Sequence, residues 1–311
     1  MNGQTLKQLE ERMGSEHARQ RFNIEEAHTA QVFGQGRNFF HLENWYSIHS
    51  VIRNSLRLFF MHKKGQKNAR NIHIKYNNIS LPNLHLDLEG FTILHLSDLH
   101  VDMDEKATLA LINKVREIDY DICVMTGDYR ARTFGDIEGS IAAMQKVRTH
   151  LKQDIYAVLG NHDSIMMVPA LESMGIKLLL NENLLIKQGQ GSLFLAGIDD
   201  AHYFEADDIP KAAQGISSSI PSILLSHTPA IYKQASEAGF DVTFSGHTHG
   251  GQICLPGGIP ITLDSDCPRF VGKGAWRHNN MQGYTSVGSG TSVVNVRINC
   301  PPEITLHTLS K

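Results

Sequence analysis

At 311 residues, with a formal net charge of −3 and charged side chains making up 20% of the chain, the composition is that of a soluble globular protein holding one large domain or two modest ones. Such a balance gives no argument for nucleic acid as a partner, and no apolar run reaches the roughly 18 residues that a bilayer span requires. Four cysteines, Cys123, Cys254, Cys267 and Cys300, lack CxxC spacing, and the charged start MNGQTLKQLEERMGSEHARQ has no apolar leader segment, which together point to reduced thiols and a cytoplasmic location.

Residues 1–40 are polar and close on Gly34 and Gly36, so they read as a solvated helix or a loose arm contributing little core. From His41 to Arg70 the character changes. Trp45, Ile48, Ile52, Leu56 and Phe59 recur at steps of three and four, the period of an amphipathic helix. Its second half carries Arg53, Arg57, Lys63, Lys64, Lys67 and Arg70 against the single acid Glu43. That pattern suits an anionic membrane surface, or a helix docked on the main domain with a solvated basic flank.

The main domain starts near Asn71, dividing the chain into residues 1–70 and 71–311. Short apolar runs bounded by turn residues predict strands over Phe91 to Leu96, Ile122 to Met125, Ile155 to Leu159, Lys177 to Leu180, Ser192 to Ala196, Ser222 to Leu225 and Val242 to Phe244, then over Tyr284 to Val287, Val293 to Ile298 and Glu303 to Leu309. Helices are predicted over Ala107 to Glu117, Ser140 to Leu151 and Pro229 to Ala238. Strand and helix alternate early and strands dominate late, which predicts a mixed α/β layered fold.

The chemistry-bearing residues follow those strands. SDLH supplies Asp98 and His100, TGD supplies Asp128, GNHD supplies Asn161, His162 and Asp163, SHTP supplies His227, and SGHTH supplies His247 and His249. Strand ends are where α/β sheets open their ligand crevices, and residues two apart on an extended segment share a face. Singly, Asn161 and Asp163 could shape a turn and Asp128 could cap a helix. Five such motifs in order point instead to one metal site. Oxygen and imidazole donors without cysteine suit manganese, iron or zinc better than copper.

The ordered series DLH, GD, GNHD, SHTP and GHTH, over about residues 91 to 250, resembles the calcineurin-like metallophosphoesterase superfamily. The resemblance implies a four-layer α-β-β-α sandwich with two mixed β-sheets, here carrying an N-terminal helical extension. It also implies two divalent metal ions, manganese being preferred. Asp98, His100 and His249 would hold one ion and Asn161, His227 and His247 the other, with Asp128 bridging. His162 would be the catalytic histidine, with Asp163 orienting or tuning its ring. Gly246, Gly250 and Gly251 would let the backbone turn tightly and a phosphate approach the ions.

GDYRARTFG departs from the GDxxDR of many family members, which argues against a protein phosphatase or general nucleotidase. Together with GIDDAHYF, IRNSLRLFF and NCPPEITLHTL it is similar to the bacterial PlcP-type phospholipase C. That resemblance implies hydrolysis of membrane glycerophospholipids to diacylglycerol and a phosphorylated headgroup, in lipid remodelling when phosphate is scarce. A phospholipid substrate and a peripheral position on the inner face of the membrane would follow. Arg130, Arg132, Asp199, Asp200 and His202 are the expected substrate contacts. The alternative is a UDP-2,3-diacylglucosamine pyrophosphatase-type hydrolase of lipid A synthesis, which shares the metal site.

Overall fold

Central strands buried on both faces build two six-stranded sheets that face each other. The computed structural model describes residues 3–27, 46–152 and 154–311. Its first sheet comprises β1 (His73–Ser80), β2 (Thr92–Leu96), β3 (Ile122–Thr126), β4 (Ile155–Val158), β5 (Ile176–Leu178) and β14 (Glu303–Ser310), in the order β1-β14-β2-β3-β4-β5. The second comprises β6 (Glu182–Gln188), β7 (Gly191–Gly197), β8 (Ser222–Leu225), β9 (Val242–Ser245), β12 (Gly274–His278) and β13 (Met281–Thr285), in the order β12-β13-β9-β8-β7-β6. Both are mixed: β2 to β5 run parallel and β14 antiparallel to β2, while β7, β8, β9 and β13 are parallel and edged by antiparallel β6 and β12.

Residues two apart on each strand share a face. Ile93 on β2 and Val124 on β3 meet Leu195, Ile223 and Phe244 of the second sheet, forming the inner layer. Leu94, Leu96, Cys123 and Met125 point the other way, against α5 (Glu105–Val115), α6 (Glu138–Arg148) and α7 (Val168–Ser173). On the outer face of the second sheet, Ala196 and Leu224 pack against α8 (Ile209–Ala212) and α9 (Tyr232–Glu237). The result is the expected α-β-β-α order with N-terminal helices attached.

Residues 3–27 of the N-terminal segment are not a loose arm, and residues 28–40 lie outside the described residues. Helices α1 (Gly3–Met13) and α2 (Ser15–Glu26) bury Leu9, Met13 and Ala18 in the same cluster as the first sheet. Arg12 reaches Glu182 at 2.7 Å, Glu172 at 2.9 Å and the Leu178 carbonyl at 2.7 Å. In α1, Leu9 and Met13 fall on one face, so a polar composition still supplies core.

The predicted amphipathic helix is two helices, α3 (Tyr46–Leu58) and α4 (His62–Ala69), broken where Phe60 takes φ 58°. Trp45 lies outside the described residues. Ile52 and Leu56 pack on Val293, Val294, Val296 and Ile298. Leu58, Phe59 and Phe60 are exposed, Phe60 by 92%. Residues 293–298 were expected as a strand but form irregular backbone, with Val293 at φ 62° and one isolated bridge from Ile298 to Ile253. A short hairpin, β10 (Cys254–Leu255) and β11 (Ile259–Pro260), leads into the same region.

Truncating the fully buried Met13 to Ala should cost about 2–5 kcal/mol in urea unfolding. An unchanged midpoint would mean that α1 contributes no core.

Candidate metal centre

The loops that follow β2, β3, β4, β8 and β9 converge at one end of the sandwich. Parallel strands in register bring their carboxyl ends together, so residues distant in sequence meet. Asp98 and His100 follow β2, Asp128 follows β3, Asn161 and His162 follow β4, His227 follows β8, and His247 and His249 follow β9. All are buried.

Two groups of donors form. In one, His100 Nε2 lies 3.2 Å from His249 Nε2, which is 3.5 Å from Asp98 Oδ1. In the other, Asn161 Oδ1 is 2.9 Å from His227 Nε2 and 3.1 Å from His247 Nδ1, and the two ring nitrogens are 3.2 Å apart. Asp128 Oδ2 stands between them, 3.6 Å from His100 Nε2 and 3.4 Å from His227 Nε2. The ligand atoms of Asp98, His100 and His249 lie within 4.8 Å of one another, as do those of Asp98, Asp128 and His227.

The donor set fits a divalent metal. Donors about 2.1 Å from a common ion are roughly 3.0–3.4 Å apart, close to the separations within each group. His100 donates Nδ1–H to the Arg130 carbonyl at 2.7 Å and His227 donates Nδ1–H to the Thr126 carbonyl at 2.7 Å. Each therefore presents Nε2 to the centre, the second-sphere arrangement that metal-ligating histidines use. Among the described residues, neither Asp98 nor Asp128 has a lysine or arginine within ion-pair distance. His247 Nε2 is buried without a hydrogen-bond partner.

Charge follows the same geometry. Burial pushes the Asp98 carboxyl upward, aided by Asp128 and opposed by His227 and His100. Burial also acts on Asp128, but His227, His162 and His100 outweigh it and hold Asp128 well below the usual carboxylate range. Burial opposes protonation of His227, yet Asp128 and Asp98 raise its pKa to about 10. Burial keeps His247 and His249 well below the ordinary histidine range, helped by His202 and Arg297 respectively.

The backbone is strained where the donors sit. Asp98, His100, Asp128, His247 and His249 have φ of 50°, 41°, 58°, 70° and 49°, the left-handed region that costs a non-glycine residue about 1–3 kcal/mol. Such strain persists where a site demands it. Two glycines make the close approach possible. A Cβ on Gly160 would meet Asp128 Oδ1 at 2.2 Å, and one on Gly246 would meet Ser97 Oγ at 1.8 Å and Asp98 Oδ2 at 2.3 Å. Gly246 thus makes room for a donor carboxylate, where room for a phosphate was expected.

The other expected site residues divide. His162 lines the site, its Nε2 3.9 Å from Asp128 Oδ2 and its Nδ1 3.4 Å from Thr133 Oγ1. Asp163 accepts the backbone N–H groups of Asp128, Tyr129 and Gly160 at 2.7, 2.8 and 2.9 Å. It holds two loops together, so its role is positioning rather than the ring orientation expected. Arg130 is buried and donates to the carbonyls of His162, Gly135 and Thr133. Asp199 pairs with Arg21 at 3.0 Å, and Asp200 accepts the N–H groups of His202, Tyr203 and Phe204. These three charges are occupied by the protein, which corrects their reading as substrate contacts. His202 packs on the His247 ring at 4.0 Å between centroids, and Arg132 is exposed.

Two arginines escaped the sequence reading. Arg297, fully buried, donates to the carbonyls of His249, Val287 and Gly290 at 2.9, 2.7 and 2.6 Å. Arg21, also fully buried, donates to Asp199 and to the Asp163 carbonyl at 2.5 Å, tying α2 to the loop that carries His162. The one signal for Arg297 is a charge set inside the apolar run VVNVRI.

Fold and donors together define a metal-dependent phosphoesterase. A family model described as calcineurin-like phosphoesterase matches residues 91–251, more than half of the chain. The chain belongs to that family. It is 28% identical over 256 residues to an uncharacterized metallophosphoesterase, YkoQ, of Bacillus subtilis, covering 79% of this chain and 93% of that protein. It is also 28% identical over 233 residues to the phosphodiesterase YaeI of Escherichia coli, covering 70% and 82%. A Danio rerio transmembrane protein with a metallophosphoesterase domain is 28% identical over 238 residues, covering 70% of this chain and 53% of that protein.

Two outcomes are expected. Gly160→Ala should displace the Asp128 carboxylate and lower phosphodiester turnover by about 100-fold while circular dichroism is unchanged. Wild-type turnover would mean that the close approach is dispensable. A bound cation must also displace the His227 proton, which is held below its pKa of about 10. Low pH favours the proton and high pH the ion, so Mn²⁺ affinity should rise by about tenfold per pH unit between about pH 6 and 9. Calorimetry showing a pH-independent affinity would contradict this.

Proposed function

We propose that the protein is a dinuclear metal-dependent phosphodiesterase that hydrolyses membrane glycerophospholipids in the manner of a phospholipase C. The carrying observation is the cleft over the metal centre. It encloses about 300 Å³, with Asp128, Asn161, His162, His247 and His249 at one end and Ile52, Ile253, Ile261, Val293 and Val294 among its walls. A soluble phosphodiester would leave those walls in water. A diacylglycerol moiety covers them, and the apolar area so removed from water stabilises the complex by roughly 25 cal/mol per Å².

The site residues would then divide the work. Asp98, His100 and His249 hold one ion, Asn161, His227 and His247 the other, and Asp128 reaches both. When bound, two divalent ions, manganese in this reading, polarise the phosphoryl group and lower the pKa of the attacking water. His162, at the cleft wall, protonates the departing glycerol oxygen as a general acid. The products are diacylglycerol and a phosphorylated headgroup, consistent with a role in lipid remodelling under phosphate limitation.

An insoluble substrate requires access to the bilayer. No helix among the described residues is long and apolar enough to cross a membrane. Support for a peripheral approach comes from exposed Val51, Leu58, Phe59 and Phe60 beside Arg53, Arg57, Lys63 and Lys64. Apolar groups that enter the headgroup layer, flanked by cations that meet its phosphates, form a reversible anchor.

Purified Mn²⁺-loaded protein should release diacylglycerol from phosphatidylglycerol or phosphatidylethanolamine vesicles. Inertness on both, with cleavage of UDP-diacylglucosamine, would transfer the assignment to the pyrophosphatase. His162→Ala should lower turnover by about 10²–10⁴-fold with metal content kept; loss of metal would recast His162 as a ligand. Phe59→Ser with Phe60→Ser should cut vesicle hydrolysis by about tenfold or more and spare a soluble diester. Equal losses on both substrates would remove the anchor.

A further inference from the structure

The inner layer between the sheets is largely apolar, and one continuous polar line crosses it. His95 on β2 and His307 on β14 sit there fully buried, among Phe244 and Tyr284. Burial alone holds the His95 pKa down to about 3, and burial with its neighbour His95 holds His307 well below the ordinary histidine range. Burial therefore favours the neutral form of both imidazoles. Neither belongs to a metal-donor group, and neither touches the cleft. Polar groups in such a layer are costly unless every one is satisfied.

His95 and His307 are satisfied in a single file that ends at the metal centre. Asn77 Nδ2 lies 3.0 Å from His307 Nδ1, and His307 Nε2 lies 3.3 Å from His95 Nδ1. His95 Nε2 lies 2.9 Å from Thr126 Oγ1, which lies 2.7 Å from Ser97 Oγ, which lies 2.5 Å from Asp98 Oδ2.

The direction of the chain is fixed from its carboxylate end. A metal-ligating Asp98 is ionised and only accepts, so Ser97 gives it the hydroxyl proton. Ser97 Oγ must then accept from Thr126, whose own proton is thereby used. Thr126 Oγ1 must accept from His95 Nε2–H. A neutral His95 then has a bare Nδ1, which accepts from His307 Nε2–H. His307 Nδ1 is bare in turn, and it accepts from Asn77 Nδ2, the end of the amide that donates. All five donors point toward Asp98. The asparagine end, reasoned independently, gives the same tautomers as the carboxylate end.

We propose that Asn77, His307, His95, Thr126 and Ser97 form a polarised hydrogen-bond relay that orients the Asp98 carboxylate for the metal, with His95 and His307 as positioning residues. Aligned donors reinforce one another, and the last of them offsets the burial that works against Asp98 as an anion. Gly246 belongs to the same device, since a side chain there would strike both Ser97 Oγ and Asp98 Oδ2. The inference rests on Asp98 as a metal ligand, and its test separates the two ideas.

Two measurements decide it. In metal-free protein labelled with ¹⁵N-histidine, the His95 and His307 signals, assigned by their loss in His95→Gln and His307→Gln, should both report the neutral Nε2–H tautomer from pH 6 to 8. An Nδ1–H tautomer or an imidazolium at either position overturns the relay. Second, Thr126→Val cuts the chain while keeping the backbone carbonyl that His227 uses, and Thr126→Ser keeps the hydroxyl. Mn²⁺ affinity by calorimetry should fall about 10–100-fold in the valine variant and stay within about threefold of wild type in the serine variant. Wild-type affinity in Thr126→Val, or equal losses in both variants, overturns the positioning role. A wild-type protein that takes up no Mn²⁺ counts against the metal-centre reading alone, because Asn77 sets the same tautomers from the other end without metal.

Discussion

One buried carboxylate oxygen, Asp128 Oδ2, organises the molecule. It lies 3.4 to 3.9 Å from ring nitrogens of His227, His100 and His162, which come from three different strand ends. A carboxylate taken from water costs several kcal/mol unless positive charge meets it. The nearby guanidiniums do not supply that charge: Arg130 and Arg297 are turned to backbone carbonyls. Histidines meet it in part, and Asp128 with Asp98 raises the His227 pKa to about 10 against burial. The centre thus favours positive charge.

The cost of assembling it is distributed through the fold. Five donors occupy left-handed backbone, which the parallel strands tolerate because inter-sheet and helix-side packing fix the strand ends from both directions. Asp163 binds the Asp128 loop to the Gly160 loop, and Arg21 binds the same region to α2. The N-terminal helices therefore stabilise the loop that carries His162 as well as adding core. Across the cleft, α3 and residues 293–298 supply apolar walls to a polar floor.

The sequence made the donors legible because each follows an apolar strand end and combines Asp, Asn or His with glycine. Their positions did not depend on exact strand limits. The central strands were legible for the same reason, as buried apolar runs. Strands β1, β6 and β12 were not, because they lie at or near sheet edges and read as polar segments such as HIKYNNIS. The run VVNVRI looked like a strand, but its apolar residues pack on α3 in irregular backbone and its arginine turns to the site. The substrate contacts were misread because sequence displays a charge without the group that neutralises it. Asp199 is paired with Arg21, while Arg130 and Asp200 are hydrogen-bonded to backbone.

The family fold carries all seven donors, and the proposed dinuclear reading rests on two donor groups that both approach Asp128. The most direct measurement is the stoichiometry of Mn²⁺ bound by metal-free protein, read by calorimetry with elemental analysis, in wild type and in Asp128→Ala. The account predicts two ions per chain in wild type and loss of at least one in the variant. A single ion in wild type, or two retained without Asp128, would contradict it.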